Sequence, residues 1–347
     1  MSALPNKGLE RTWQKTSVSL CLGVMRYLGI KVRSCTFGDM AETADNQHFV
    51  PQFYLRSFTI PGEKSLIWEF DKQTGQYAKR PKSVRSICSR YRYYRQVRDT
   101  GIEEPDMLEH GFSRELERKV APLHKALLGR LADGKSDIHL TPAEFGQFCY
   151  SVAIQYTRVP FFRDKMTLFM KIRGEQQFDQ LVEKQRSNGT LPPEVDAMLQ
   201  KEKPKVIIED WGTIKTMFEA AYTVSNALMH KTPGFFRVPQ GSYFVTSDNP
   251  VSYYIKNYEK YDLKQLEPIH PDAEVFFPLS RENAVVFFPY ESGYSSTRYA
   301  IRCKCLELLP SLVEYVNMQT VIMAQHHVYA PQKLPFMSKA ALLLGKT

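Results

Sequence analysis

The chain has 347 residues, of which 43% are hydrophobic and 24% are charged, with a formal net charge of +9. This length and composition are typical of a folded, soluble protein and exclude a largely disordered or fibrous chain. No apolar run approaches the roughly 20 residues of a membrane-spanning helix, so we expect no membrane insertion. Six scattered cysteines without a CxxC pair indicate reduced thiols and favour the cytoplasm.

Residues 1–39 carry almost half of the positive excess. They hold six cationic and two anionic side chains, a net charge of +4, which leaves +5 for the rest of the chain. We interpret them as an N-terminal extension, with Met40 as an alternative start; a basic transit peptide is the other interpretation. Residues 40–347 are then expected to form one domain.

The segment HFVPQFYLRSF at 48–58 places polar residues among aromatic and aliphatic ones. A helix beginning near Val50 would align Gln52 and Arg56 at one-turn spacing and leave His48 at its cap. Such a stripe is either the solvent-facing side of an ordinary core helix or the edge of an active site. Taken alone, the segment favours the first interpretation.

A hairpin is predicted over residues 67–77. Two β-prone runs flank a turn at 72–75, and Asp71 lies at the mouth of that turn. We therefore expect a local antiparallel strand pair in this part of the chain.

The next segment, residues 78–98, contains eight cationic side chains and no acidic one. As a strand it would place arginines and tyrosines on opposite faces, whereas a helix would align Arg90, Tyr94 and Arg98. It is either a solvent-facing basic surface or a nucleic-acid-binding segment. The candidate nucleic-acid-binding residues are Arg85, Arg90, Arg92 and Arg95.

Helical periodicity dominates from about residue 108 to residue 229. The clearest start is LTPAEF, with Thr141 as N-cap, Pro142 in the first turn and Glu144 three residues after the cap. Pro160 is expected to end or kink that helix. Further helices are expected over 161–173 and from about 210 to 229.

From residue 232 onward, short aromatic and β-branched runs separated by turn residues indicate antiparallel strands, with a last helix near 306–324. Cys303 and Cys305 fit alternate positions of a strand better than a zinc site, which needs a second ligand pair. We predict a single α+β domain in which a helical middle section packs against mainly antiparallel strands from both ends.

Two further blocks embed polar residues in apolar sequence. In QYTRVPFFR, Gln155, Arg158 and Arg163 flank a helix break. The two arginines would converge on one anion, or Arg158 would pair with a carboxylate such as Glu117.

The other block is FVTSDNPV at 244–251, where Asp248 and Asn249 follow a predicted strand. Their side chains would either bind their own backbone in a turn or orient a water, a metal or a substrate hydroxyl. The P-loop, the dinucleotide-binding glycine motif, GxSxG and HExxH are all absent from the sequence.

Read together, these blocks have the order of a known bacterial family. The sequence resembles the domain of unknown function numbered 4238, which has an H-x-V-P-Q-x-Y-L-R-x-F block near its amino terminus and a later S-D-N-P block. The resemblance spans about residues 46–330 and implies no catalytic assignment, but it favours one shared pocket. The matching positions are His48, Gln52, Arg56, Asp71, Glu117, Gln155, Arg158, Asp248 and Asn249.

Our leading hypothesis is a phosphodiester hydrolase, a nuclease in a bacterial defence or toxin-like role. His48 would be the general acid or base, Arg56 and Arg158 would bind phosphate, and Asp248 and Glu117 would orient water or a metal. Mg²⁺ or Mn²⁺ is the candidate cofactor. The alternatives are a non-enzymatic nucleotide- or anion-binding module and a purely structural role for the polar blocks.

Overall fold

A computed structural model gives the fold of the chain. The structure describes residues 46–91, 93–94, 96–97, 103–104, 117–133, 137–202, 205–208, 210–260, 267–289 and 301–344. The expectations for residues 1–39, and those for Arg92 and Arg95, lie outside the described residues.

Apart from one short helix near the start of the described residues, the described helices lie in the middle of the chain and in its carboxyl-terminal part. Their bounds are α1 Gln52–Leu55, α2 Glu117–Ala132, α3 Pro142–Thr157, α4 Pro160–Ser187, α5 Pro193–Lys201, α6 Asp210–Met229, α7 Pro310–Met323 and α8 Phe336–Leu344. Short 3-10 helices cover Arg56–Phe58 and Tyr258–Lys260.

Strands come from both ends of the chain. Their bounds are β1 Asn46–His48, β2 Leu66–Asp71, β3 Gln76–Tyr77, β4 Lys82–Ser83, β5 Ser89–Tyr91, β6 Gln96–Val97, β7 Glu103–Glu104, β8 Asp137–Leu140, β9 Thr232–Arg237, β10 Thr246–Ser247, β11 Ser252–Ile255, β12 Ala273–Pro278, β13 Asn283–Phe288, β14 Ile301–Glu307 and β15 His327–Ala330.

The described strands form two main sheets. The larger has the order β11-β12-β13-β9-β14-β8, and all its pairs are antiparallel except β14 with β9. The smaller has the order β10-β15-β2-β3, with β4 also paired to β2, so it joins strands from both ends of the chain. The α+β fold class is confirmed.

Local sequence signals account for several of these elements. Thr141 and Glu144 form the expected capping box at the start of α3. The predicted hairpin is β2–β3, where Asp71 Oδ1 accepts from the Thr74 amide over 2.8 Å and Gly75 takes a φ of +67°, which glycine adopts without a Cβ clash. Cys303 and Cys305 are alternate buried residues of β14.

Two predicted helices have different bounds in the structure. The helix expected over 161–173 is α4, which continues past Gly174 to Ser187, because no proline occurs before the SNGT turn. The helix expected near 306–324 begins only at Pro310, because the residues through Glu307 pair with β9 in the sheet. Pro160 does end the preceding helix and begins α4.

The main core lies between the larger sheet and helices α3 and α6. Phe148 on α3 contacts Phe235 and Phe287 on neighbouring strands, with ring centroids 6.1 and 6.0 Å apart. All three side chains are buried. Among the described helices, none combines the length and the apolar character that crossing a membrane requires.

Candidate functional site

The block at 48–58 is a strand followed by a short helix, not the single helix expected. His48 ends β1, which pairs antiparallel with β5, and this pairing keeps its backbone extended. Pro51 precedes α1 as its N-cap residue. Gln52 and Arg56 do share a face, and Arg56 Nη2 donates to Gln52 Oε1 over 3.2 Å. The prediction was therefore wrong in placing His48 at the helix cap.

Arg158 lies at the end of α3, where it is 2% exposed. Its Nε donates to the Tyr94 hydroxyl over 3.1 Å, and its Nη2 donates to the backbone carbonyl of His48 over 2.7 Å. Both terminal nitrogens also contact Glu117 Oε1 at 3.4 Å. Burial alone would lower the pKa of Arg158, but Tyr94 and Glu117 together raise it. Arg158 thus pairs with Glu117, which the sequence analysis gave as its alternative partner.

The other polar residues of this block also bind the backbone. Gln155 Nε2 donates to the carbonyl of Phe49 over 3.2 Å. Arg163 Nη1 donates to the carbonyl of Tyr93 over 2.5 Å, and its guanidinium lies 5.1 Å from the centre of that ring. The two arginines therefore bind neighbouring tyrosines of one turn, and each has protein partners.

A small cleft, here called the arginine cleft, lies beside Arg158. Its walls are largely aromatic and aliphatic, with Glu117, His124, Ser151, Gln155 and Arg158 as the polar groups. Its free volume is about 30 Å³, which is room for about two water molecules. It joins the first two sequence blocks, but a substrate larger than a few atoms does not fit in it.

His124 is a polar wall of this cleft that the sequence patterns missed. Its Nε2 lies 3.3 Å from Ser57 Oγ. Burial lowers its pKa to about 4, and a hydrogen bond with the backbone of Leu279 opposes that shift. In sequence it sits between Leu123 and Leu127 of an apolar helical pattern, where a histidine gives no distinct signal.

Asp248 receives three backbone hydrogen bonds from one turn. Its Oδ1 accepts from the Gln325 amide at 2.8 Å, and its Oδ2 accepts from the amides of His326 and His327 at 2.7 and 3.0 Å. The carboxylate is 6% exposed. It therefore stabilises the connection between α7 and β15, and it lines neither the arginine cleft nor the groove described below.

Asn249 binds the same region. Its Nδ2 donates to the carbonyl of Met323 over 2.9 Å, at the end of α7. Its buried Oδ1 has no hydrogen-bond partner among the described residues. The third block reaches the first through Tyr54, whose hydroxyl lies 2.9 Å from Thr246 Oγ1. The three blocks meet, but their polar side chains point into different surroundings.

An open groove, here called the basic groove, lies on another surface. Its lining consists of Arg56, Lys64, Ser65, Ser83, Val84 and Arg85, and its free volume is about 520 Å³. The three cationic side chains are exposed. Within the described residues, no carboxylate lies within ion-pair distance of any of them. The groove is therefore a concentrated positive surface, and its three cationic side chains have no anionic partner among the residues that the structure describes.

The rest of the basic segment is divided between surface and core. Arg90 and Tyr91 are exposed on β5, whereas Tyr93 and Tyr94 are buried. The interpretation that placed Arg90 and Tyr94 on one helical face is wrong. Arg90 belongs to β5, which pairs with β1, and Tyr94 lies in the turn that follows. Arg85 and Arg90 thus remain accessible candidates.

His48 lies beneath the wall of the basic groove. Its ring hydrogen-bonds to the backbone of Val84 and Arg85, which opposes the fall in its pKa that burial causes. The charge of Arg158 lowers that pKa further. The buried Nε2 atom has no partner among the described residues. His48 is therefore a neutral imidazole whose Nε2 accepts no hydrogen bond from the described residues.

A family model described as a protein of unknown function, DUF4238, matches residues 46–333. The chain belongs to the DUF4238 family. No curated protein and no solved structure matches it. The match spans every residue that lines the cleft or the groove, so both lie within the family domain.

Among the described residues, no group of three or more His, Cys, Asp and Glu side chains is placed to hold a metal ion. Asp71, a candidate from the resemblance, accepts from Thr74 in the hairpin turn and lies 3.9 Å from His327. In the described residues, the Mg²⁺ or Mn²⁺ hypothesis has no preformed ligand set to support it.

Proposed function

We propose that this DUF4238 protein binds a phosphate-bearing ligand, a nucleotide or a nucleic-acid strand, in the basic groove. One observation carries the proposal: Arg56, Lys64 and Arg85 line one open groove and have no anionic partner among the described residues. Neighbouring cations repel one another, and a bound phosphate would relieve that repulsion while accepting their hydrogen bonds.

The dimensions of the groove favour a ligand of this kind. Its free volume of about 520 Å³ lies within the roughly 300–1,000 Å³ of typical ligand sites. Ser65 and Ser83 add hydroxyl groups to the same lining, and hydroxyls commonly bind phosphate oxygens. The arginine cleft is a weaker candidate, because its free volume is far smaller and its arginine already has protein partners.

Hydrolysis of a phosphodiester, as in a defence nuclease or toxin, is the second candidate. Its support is the position of His48, which hydrogen-bonds to the backbone of the groove residues Val84 and Arg85 and keeps Nε2 without a partner. A neutral imidazole can act as a general base. Arg158 and Asp248 support this function less, since both are engaged in internal hydrogen bonds.

Binding is tested by titrating ATP, inorganic pyrophosphate and a fluorescein-labelled single-stranded RNA against the protein. Arg56→Ala and Arg85→Ala are each expected to weaken Kd about fivefold, the effect of roughly 1 kcal/mol. Arg302→Ala removes an exposed arginine on β14 and serves as the matched control. If none of the three ligands binds, or if all three variants weaken binding equally, the proposal fails.

Hydrolysis is tested with single- and double-stranded nucleic acid in the presence of Mg²⁺ or Mn²⁺. His48→Ala is expected to lower the cleavage rate about a hundredfold or more, the usual contribution of a general acid or base. Equal cleavage by wild type and His48→Ala, or no cleavage by a protein that binds the same strand, would leave binding as the function.

A further inference from the structure

We propose that Ser57 and His124 form a nucleophile–base pair that transfers the acyl group of a small ester. Ser57 Oγ and His124 Nε2 lie 3.3 Å apart, which is near the hydrogen-bond distance that joins nucleophile and base in serine hydrolases, where apo geometry is often loose. The proposed acyl transfer is a separate activity from phosphate binding and does not depend on the basic groove.

The backbone fixes the ring of His124 in the orientation that this chemistry needs. With Nε2 facing Ser57, the other ring nitrogen is left for the hydrogen bond with the backbone at Leu279. If Nδ1–H donates to the Leu279 carbonyl, Nε2 carries the lone pair and accepts the proton of the serine hydroxyl. The Leu279 carbonyl then has the orienting role that an aspartate has in a catalytic triad.

Access to the pair comes from both partners. Ser57 is partly exposed on the 3-10 helix that follows α1. His124 lines the arginine cleft, where Phe53 and Phe277 provide apolar walls. Ser57 does not itself line the cleft, whose free volume of about 30 Å³ would admit only an acyl group of acetyl size beside His124.

Arg281 hydrogen-bonds to the segment that contains Ser57. The backbone amide of Arg281 donates to the carbonyl of Ser57 over 2.9 Å, and its Nη1 donates to the carbonyl of Thr59 over 2.8 Å. The guanidinium also pairs with Glu282, with Nε 3.1 Å from Oε1. Arg281 is therefore a positioning residue, because its bonds hold the segment that contains Ser57 against the turn between β12 and β13.

The reaction balances with water as its only co-reactant. Ser57 Oγ forms a bond to the ester carbonyl carbon while its proton moves to His124 Nε2. The bond to the leaving alkoxide then breaks, and His124 returns the proton to that oxygen. Water hydrolyses the acylated serine by the same two proton transfers, which restores Ser57 and releases the acid.

A fluorophosphonate probe tests the pair through intact-protein and peptide mass spectrometry. The probe is expected to label Ser57, forming the O–P bond and releasing fluoride and a proton. Ser57→Ala should abolish the label. Ser187→Ala is the matched control because Ser187 is an exposed serine at the end of α4, outside the cleft, that donates to the carbonyl of Lys184, and it should label like wild type.

His124→Gln is expected to slow labelling about a hundredfold, the usual contribution of a general base. Should that variant fail to fold, Ser57→Cys gives a second test that keeps the histidine. A thiol beside an imidazole is expected to react faster with iodoacetamide than the thiol of Ser151→Cys. No label on folded wild-type protein, a label elsewhere, or equal alkylation of the two cysteine variants would overturn the proposal.

Discussion

The arginine cleft and the basic groove contain the same residue type in opposite circumstances. In the cleft, Arg158 is 2% exposed and binds Tyr94, Glu117 and the backbone of His48. In the groove, Arg56 and Arg85 are exposed and have no carboxylate partner among the described residues. The buried arginine thus stabilises the fold, whereas the exposed arginines remain accessible to a ligand.

This comparison predicts that removing Arg158 mainly costs stability. Arg158→Ala is expected to lower the free energy of unfolding by about 3 kcal/mol, the lower end of the range for breaking a buried ion pair. The lower end applies because the side chain of Glu117 is 28% exposed. Urea unfolding measures the change, with Arg302→Ala as the control. An unfolding free energy equal to that of wild type would contradict the structural role.

Asp248 should behave like Arg158, with a slightly smaller effect. Asp248→Ala leaves three backbone amides without their acceptor, and we expect a loss of about 2.5 kcal/mol. Asp248→Asn should lose nearly as much, because its amide nitrogen would face an N–H donor. Thermal unfolding checks this against Asp137→Ala, an exposed carboxylate on β8. A Tm equal to that of the control would show that the turn does not need the carboxylate.

Acid should lower the free energy of unfolding through His124, which lines the arginine cleft. Burial lowers the folded-state pKa of His124 to about 4, below the ordinary value of about 6.5. As the pH falls, His124 therefore takes up its proton in the unfolded chain before it does so in the folded protein. The stability that neutral His124 contributes above pH 6.5 is lost as the pH falls toward 4. Between pH 7.5 and pH 5 the free energy of unfolding should fall by about 2 kcal/mol.

His124→Gln isolates the contribution of that histidine. Urea unfolding of wild type and variant at both pH values gives the difference directly, because the remaining titrating groups are common to both proteins. A variant whose stability changes with pH as steeply as that of wild type would rule out His124 as the source.

The smallest stability effect is expected in the basic groove. Arg56→Ala and Arg85→Ala remove exposed side chains, so the free energy of unfolding should change by less than about 0.5 kcal/mol. Their effect should appear only in ligand affinity. Thermal unfolding of both variants checks this. A destabilisation as large as that of Arg158→Ala would show that the groove arginines are structural too.

Elements governed by local signals could be predicted from the sequence. The capping box at Thr141, the hairpin turn at 72–75 and the alternation at Cys303 and Cys305 all depend on residues close in the chain. The division of the chain into a helical middle and terminal strands followed from periodicity, which reflects which faces are buried.

Features set by distant contacts could not be predicted in the same way. His48 is extended because β5, some 40 residues later, pairs with it. Lys64 joins Arg56 and Arg85 only through the folding of β2 and β4. Asp248 binds amides nearly 80 residues away, so a turn motif gave no sign of that partner.

The salt dependence of RNA binding tests the central claim most directly. The affinity for a labelled single strand is measured from about 50 to 200 mM salt, where each phosphate contact contributes about 0.7 to the logarithmic slope. We predict that Arg56→Ala/Arg85→Ala lowers that slope by about 1.4. Lys125 on α2 and Arg302 on β14 are exposed cations outside the groove, so Lys125→Ala/Arg302→Ala should leave the slope unchanged. A slope that is the same in wild type and the groove variant, or that falls equally in both double variants, would contradict phosphate binding in the basic groove.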